Sequence, residues 1–144
     1  MTAAAETPRI RRKRPAKPQF AQTMLILEAL CVFFATLVAY GLSAGDDPWI
    51  DVEPAWVWGI GGGLTLVLIL VSGFVSRPGG YVAGWVAQVW VVAAALVLPS
   101  VARGMALVVA AVFIALWAVS LRLGGRIDRE RAEYDAAHPG EVGP

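Results

Sequence analysis

Glu28 is the side chain on which chemistry could be built. It lies inside an apolar block running from about Phe20 to Leu42, and it is the only acidic or basic residue well inside any such block. A charge at the centre of a membrane helix costs about 2.5–3.5 kcal/mol on insertion scales, so residues of this kind face a bundle interior or a cavity. On a helix, Ala21, Cys31, Ala35 and Ala39 fall on its face, a stripe of small side chains that lets another helix approach. Gln88, in a later block, is its natural partner. Glu28 stands eight residues after Phe20 and Gln88 eight after Gly80, so at 1.5 Å per residue both lie about 12 Å deep. Thr65, on the block between them, comes close to the same level. An unpaired polar group in hydrocarbon is costly. The three side chains are therefore expected to form a polar layer in which Glu28 reaches Gln88 directly or through a water. Such a carboxyl can tie the first and third helices together, or it can couple transport of a proton or cation. The structural role is preferred, because neither a basic residue nor a second acid accompanies Glu28.

Catalysis has little to work with. No histidine lies in the apolar blocks, no Ser/His/Asp set is present, and no metal-ligand spacing occurs. Ser72 and Cys31 read as packing residues, and one cysteine excludes an intrachain disulfide framework. Asp46, Asp47, Asp51 and Glu53 do not follow the EF-hand spacing and read as a solvated loop. His138 stands alone in a tail. The sequence predicts no enzyme activity, no cofactor and no metal.

The elements that position Glu28 and Gln88 follow from composition. Hydrophobic residues make up 58% of the 144 and charged residues 16%, against about half and about a quarter in a soluble domain. The mean hydropathy is +0.64. Four blocks reach the length of about 20 residues that crosses a hydrocarbon core: about Phe20–Leu42, Val57–Val75, Gly80–Leu98 and Met105–Leu123. Gly45-Asp46-Asp47-Pro48, Arg77-Pro78-Gly79-Gly80 and Pro99-Ser100 with Arg103-Gly104 separate them. The blocks are continuous rather than alternating, which excludes a barrel and leaves helices. Short connections make neighbours antiparallel, giving an all-α, four-transmembrane-helix hairpin bundle. A cleaved signal peptide is the competing reading of the first block. That block is longer than the roughly 7–15 residues of a signal h-region and holds a glutamate, so it is read as a retained span.

Charge sets the orientation. With both termini cytoplasmic, every basic residue except Arg103 lies on the inner side, whereas the loop after the first span is acidic. Trp49, Trp56 and Trp58 then mark the outer interface, and Tyr81 and Trp85 the inner one. The expected organisation is a disordered basic tail over 1–19, a membrane domain over 20–123 and a charged tail over 124–144. The first tail carries Arg11, Arg12, Lys13 and Arg14, which serve as a topology signal and contact anionic headgroups. Nucleic acid is not expected as a partner, because no aromatic residue interleaves the basic run. In the second tail Arg126/Glu130, Arg129/Glu133 and Arg131/Asp135 are i,i+4 pairs, so a charged helix should continue to His138-Pro139-Gly140. Gly124-Gly125 offers a hinge at the membrane surface.

Small residues supply the packing faces. Gly59 and Gly63 are four apart in the second block, as are Gly80 and Gly84 in the third. Gly80, Gly84 and Ala95 share the face of Gln88; Thr65, Ser72 and Gly73 share that of Gly62; and Ala111, Ala115 and Ala118 line the fourth block.

An ordered set of motifs runs through the chain: Leu27-Glu28-Ala29, Gly61-Gly62-Gly63-Leu64, Arg77-Pro78-Gly79-Gly80-Tyr81 and Gly84-Trp85-Val86-Ala87-Gln88. Ala115-Leu116-Trp117, Leu121-Arg122-Leu123-Gly124 and Arg126-Ile127-Asp128 complete it. Over about residues 20–134 the chain resembles an uncharacterised family of small actinobacterial four-span membrane proteins, whose genes often stand beside that for folylpolyglutamate synthase. The resemblance implies that the glutamate, the glycines, the glutamine and the Arg-Ile-Asp run are signature positions. It implies no activity. Small multidrug transporters share the plan of four short spans with a glutamate in the first. This chain lacks their Trp upstream of the glutamate and their Gly-Thr after it.

The expectation is thus a multi-pass protein of the bacterial plasma membrane. Its preferred role is a non-enzymatic accessory or scaffold subunit whose partners are the bilayer and either a second copy or a larger membrane protein. The alternative is a small transporter using Glu28.

Overall fold

The computed structural model describes residues 14–44 and 47–138. Arg11, Arg12 and Lys13, and most of the expected basic tail, lie outside the described residues, as do Gly45, Asp46, Pro139 and Gly140. Arg14 is described and exposed. The described chain is helical, with no strand among its described residues, and consists of α1 (Ala16–Ser43), α2 (Pro54–Phe74), α3 (Gly80–Val97) and α4 (Ser100–Ala137). All four are long and apolar enough to cross a membrane.

Proline and glycine place the helix ends. Pro15 precedes α1, Pro54 opens α2 and Pro99 precedes α4. A first-turn N–H has no intrahelical acceptor, so proline costs nothing there. The turn between α2 and α3 uses two glycines for different reasons. Gly79 has φ 83°, in the left-handed region. At Gly80 a Cβ would run into the backbone of Phe74 and Val75.

Helix bounds depart from the expected spans at several points. α1 begins at Ala16 rather than Phe20, and α4 begins at Ser100 rather than Met105. α4 also passes through Gly124-Gly125 without a break and reaches Ala137, so no hinge forms there. Its 38 residues would extend about 57 Å, well past a hydrocarbon core of about 30 Å. A further departure is inside α2, which widens into a π-turn over Trp58–Gly62.

The helices pack in a ring. α1 lies against α2 and α4, and α3 against α2 and α4, while the α1 and α3 backbones scarcely approach each other across the diagonal. Trp117, Leu25, Leu68 and Val75 fill the centre with Ala21 and Ala87. Large apolar side chains face outward, among them Phe34, Val89, Trp90 and Val97. A soluble bundle hides such a surface; a bundle in lipid presents it.

Candidate functional site

The bundle centre is where polar chemistry collects. Glu28 on α1 and Gln88 on α3 are each 2% exposed. Gln88 Nε2 donates to Glu28 Oε2 at 2.5 Å. Because α1 and α3 are diagonal, this bond crosses the middle of the bundle rather than joining neighbours. Glu28 Oε1, Gln88 Oε1 and the indole Nε1 of buried Trp117 have no hydrogen-bond partner among the described residues. Thr65 does not join them: its hydroxyl donates to Gly61 O of its own helix at 2.8 Å. A threonine inside a helix has its own i−4 carbonyl always in reach, so depth alone does not bring it to Glu28.

The faces that carry the pair differ in part from those expected. On α1 the buried line is Ala21, Leu25, Glu28, Ala29 and Thr36; Ala35 is exposed, and Cys31 and Ala39 are half-buried. On α3, Gly80, Gly84 and Ala95 are buried with Gln88. On α4 the buried line is Ala110, Trp117, Ser120 and Gly124, with Ala111 and Ala115 exposed. On α2, Ser72 and Leu68 are buried while Gly73 is exposed. One bulky ring explains the setting of α4. Trp117 lies over Gly84, where any Cβ would overlap its indole, so the largest side chain of one helix fills the gap left by the smallest of another.

The π-turn corrects a second packing expectation. In a regular helix Gly59 and Gly63 would share a face, but both have open space where a Cβ would go. A π-turn accommodates one extra residue, and this resets the face. It is Gly61 that meets α1, its missing Cβ making room for the Thr36 hydroxyl and methyl. The Thr36 hydroxyl donates a hydrogen bond to Val32 O at 2.7 Å. Trp58 packs nearby against Phe33 and Tyr40, with ring centroids 6.4 and 5.9 Å apart.

A second polar junction lies at the end of the bundle where α1 begins. The Asp128 carboxylate, on the extension of α4, accepts from the backbone N–H of Ala16 at 2.6 Å and of Lys17 at 3.0 Å. The first N–H groups of a helix lack internal acceptors and carry the positive end of its dipole. Pro15 can offer no side-chain cap, so the cap comes from 112 residues away. Gly124 lets the α1 backbone pass, since a Cβ there would lie 2.5 Å from Lys17 Cα. The Lys17 ammonium, read from the sequence as part of a basic tail, sits 4.4 Å from the Tyr81 ring centroid. Charge pairing along α4 passed over Asp128. Its i±4 neighbours, Gly124 and Ala132, carry no charge, though Arg131 stands at i+3; the missing i±4 partner, with an uncapped α1, was the available signal. Of the three expected tail pairs, Arg126–Glu130 forms at 2.7 Å, exposed, and the other two do not.

Between α3 and α4 runs a groove of about 290 Å³, walled by Trp85, Val89, Val92, Ala93, Leu96 and Ile114 and touching Gln88. Among the described residues no group of acidic, cysteine and histidine side chains could hold a metal.

Residues 19–133, which contain Glu28, Gln88 and Asp128, match the family model described as Protein of unknown function (DUF4233). The chain belongs to this family. No curated protein and no solved structure matches it. The match covers Glu28, Gln88 and Asp128 but stops short of Ala16 and Lys17, and it assigns none of them a role.

Proposed function

We propose that this chain is a small, non-enzymatic accessory or scaffold subunit of a bacterial plasma membrane, packing against a second copy or a larger membrane protein. The observation that carries the reading is how Glu28 is used. The one acid buried among the apolar helices is spent on Gln88 across the bundle centre, and the groove that touches Gln88 is walled by apolar side chains. A transport site needs a polar path to water, whereas a structural carboxyl needs only its partner. The outward Phe34, Val89, Trp90 and Val97 supply a surface for lipid and for another helix.

Four antiparallel helices with both termini cytoplasmic complete the proposal. Thr36 in the second half of α1 meets Gly61 near the start of α2, and Lys17 at the start of α1 meets Gly124 late in α4. Both contacts support antiparallel neighbours, and the basic residues gathered at the termini support the orientation. Anionic headgroups would be met by Arg11, Arg12, Lys13 and Arg14. The family resemblance further implies an actinobacterial source and a gene beside that for folylpolyglutamate synthase.

A proton- or cation-coupled transporter using Glu28 is the competing reading, and the unpartnered oxygens of Glu28 and Gln88 are what favour it. Reconstitution separates the two. Liposomes holding wild type or Glu28→Gln should pass protons no faster than protein-free liposomes. Cysteines placed at Trp90 or Val97 should cross-link in native membranes to a second copy or a larger membrane protein. Proton flux in wild type that vanishes in Glu28→Gln would overturn the accessory role.

A further inference from the structure

The bundle centre holds two buried oxygens that no donor reaches among the described residues. Gln88 Nε2 already donates to Glu28 Oε2. What remains on the two bonded groups is the second N–H of Gln88 Nε2 and a pair of oxygens, Glu28 Oε1 and Gln88 Oε1, both fully buried and both without a partner among the described residues. An ionised carboxylate only accepts hydrogen bonds, and so does an amide oxygen. Two such acceptors left over in one apolar site each keep their desolvation cost with nothing in return. A carboxylic acid differs, because one of its oxygens accepts while the other donates. It is then complementary to a primary amide, which likewise offers one N–H and one oxygen side by side.

We propose that Glu28 and Gln88 form a proton-binding site, a carboxylic acid–amide pair in which a proton carried on Glu28 Oε1 is donated to Gln88 Oε1. A single proton satisfies both orphaned oxygens. The surroundings agree, since no element packed around Glu28 brings a charge to offset a carboxylate. On α2 no charged residue lies between Glu53 and Arg77, on α3 none between Arg77 and Arg103, and on α4 none between Arg103 and Arg122. The hydroxyls of Thr65 and Ser72 are spent on Gly61 O and Ile69 O of their own helix. Trp117 Nε1 is a buried donor, but it bonds to neither oxygen. Of the other titratable groups, Cys31 is half-buried one turn along α1. Tyr81, Lys17 and Asp128 sit together at the end of the bundle.

The pair is a clasp that depends on its proton. With the proton gone, Glu28 Oε1 presents lone pairs to the lone pairs of Gln88 Oε1, and the contact across the α1–α3 diagonal must open or its amide must turn. This conclusion goes beyond the accessory reading and can stand or fall without it, because the proton is read on one side chain and not through a partner or a flux.

Infrared spectra of the full chain in lipid bilayers, labelled with carbon-13 glutamate, test it directly. At about pH 7 an ordinary glutamate is ionised, and Glu53, Glu130 and Glu133 are exposed. Wild type should show a labelled carboxylic-acid carbonyl band that is lost in Glu28→Gln. In Gln88→Leu the band should persist and move to higher frequency, because its O–H has lost an acceptor. If Glu28→Gln fails to assemble, the Gln88→Leu chain carries the test, since it keeps Glu28. A labelled spectrum with carboxylate bands alone would overturn the proposal. So would an acid band that does not move in Gln88→Leu, since the Glu28 proton would then be donated elsewhere than to Gln88.

Discussion

Replacing Asp128 by alanine should loosen the bundle at the end where α1 begins. Two backbone N–H groups, of Ala16 and Lys17, lose a carboxylate acceptor held at 2.6 and 3.0 Å. Loss of a helix N-cap costs about 1 kcal/mol, within a range of roughly 0.5–2. A carboxylate at the positive end of a helix dipole adds about 0.3–1 kcal/mol, more where partly buried. The two bonds share one carboxylate, so Asp128→Ala should cost about 2 kcal/mol and Asp128→Asn, which keeps one acceptor, about half of that. Reversible unfolding of the full chain in mixed micelles, followed by tryptophan fluorescence, measures both. A double-mutant cycle then isolates the contact. Ala16→Pro removes the shorter of the two donors at a first-turn position where proline is tolerated. It should therefore cost about 1 kcal/mol less in the Asp128→Ala background than in wild type. Coupling near zero, or an Asp128→Ala chain as stable as wild type, would refute the cap.

Gly84→Ala should destabilise by about 1–3 kcal/mol, the usual cost of overpacking, because the new Cβ meets the Trp117 indole; the same unfolding assay reads it. Gly61→Ala should destabilise similarly through Thr36, whereas Gly59→Ala and Gly63→Ala, with open space at their Cβ positions, should be within about 0.5 kcal/mol of wild type or gain slightly. Reporters joined before Met1 and after Pro144 should both read as cytoplasmic, and one inserted beside Asp51 as external. An external C-terminal reporter would exclude four spans with both ends inside.

Much of the architecture was legible one block at a time. Apolar length, with no alternation, leaves helix as the structure that satisfies its own backbone in lipid, and the Pro and Gly breaks bound the helices to within a few residues. Local rules also anticipate that α4 runs on past Leu123 as a charged helix, although of its three i,i+4 pairs only Arg126–Glu130 forms. Glu28 and Gln88 could be matched by depth, though the count was imperfect. α1 starts at Ala16, so twelve residues rather than eight precede Glu28, and the surplus turn is the one that Asp128 caps.

What stayed hidden was rotation about each helix axis and every contact made across the chain. The buried line on α4 is set by Trp117 finding the gap at Gly84, not by its alanines. The face of α2 is set by a π-turn that an α-helical spacing cannot anticipate. The cap on α1 comes from a residue 112 positions away. Helix formation is decided among residues four apart and by the surrounding lipid, both visible in a linear string. An apolar helix meets lipid almost equally well on any side, so its setting is chosen by the fit of rings, glycines and the few polar groups on its neighbours, and those meet only in the folded bundle.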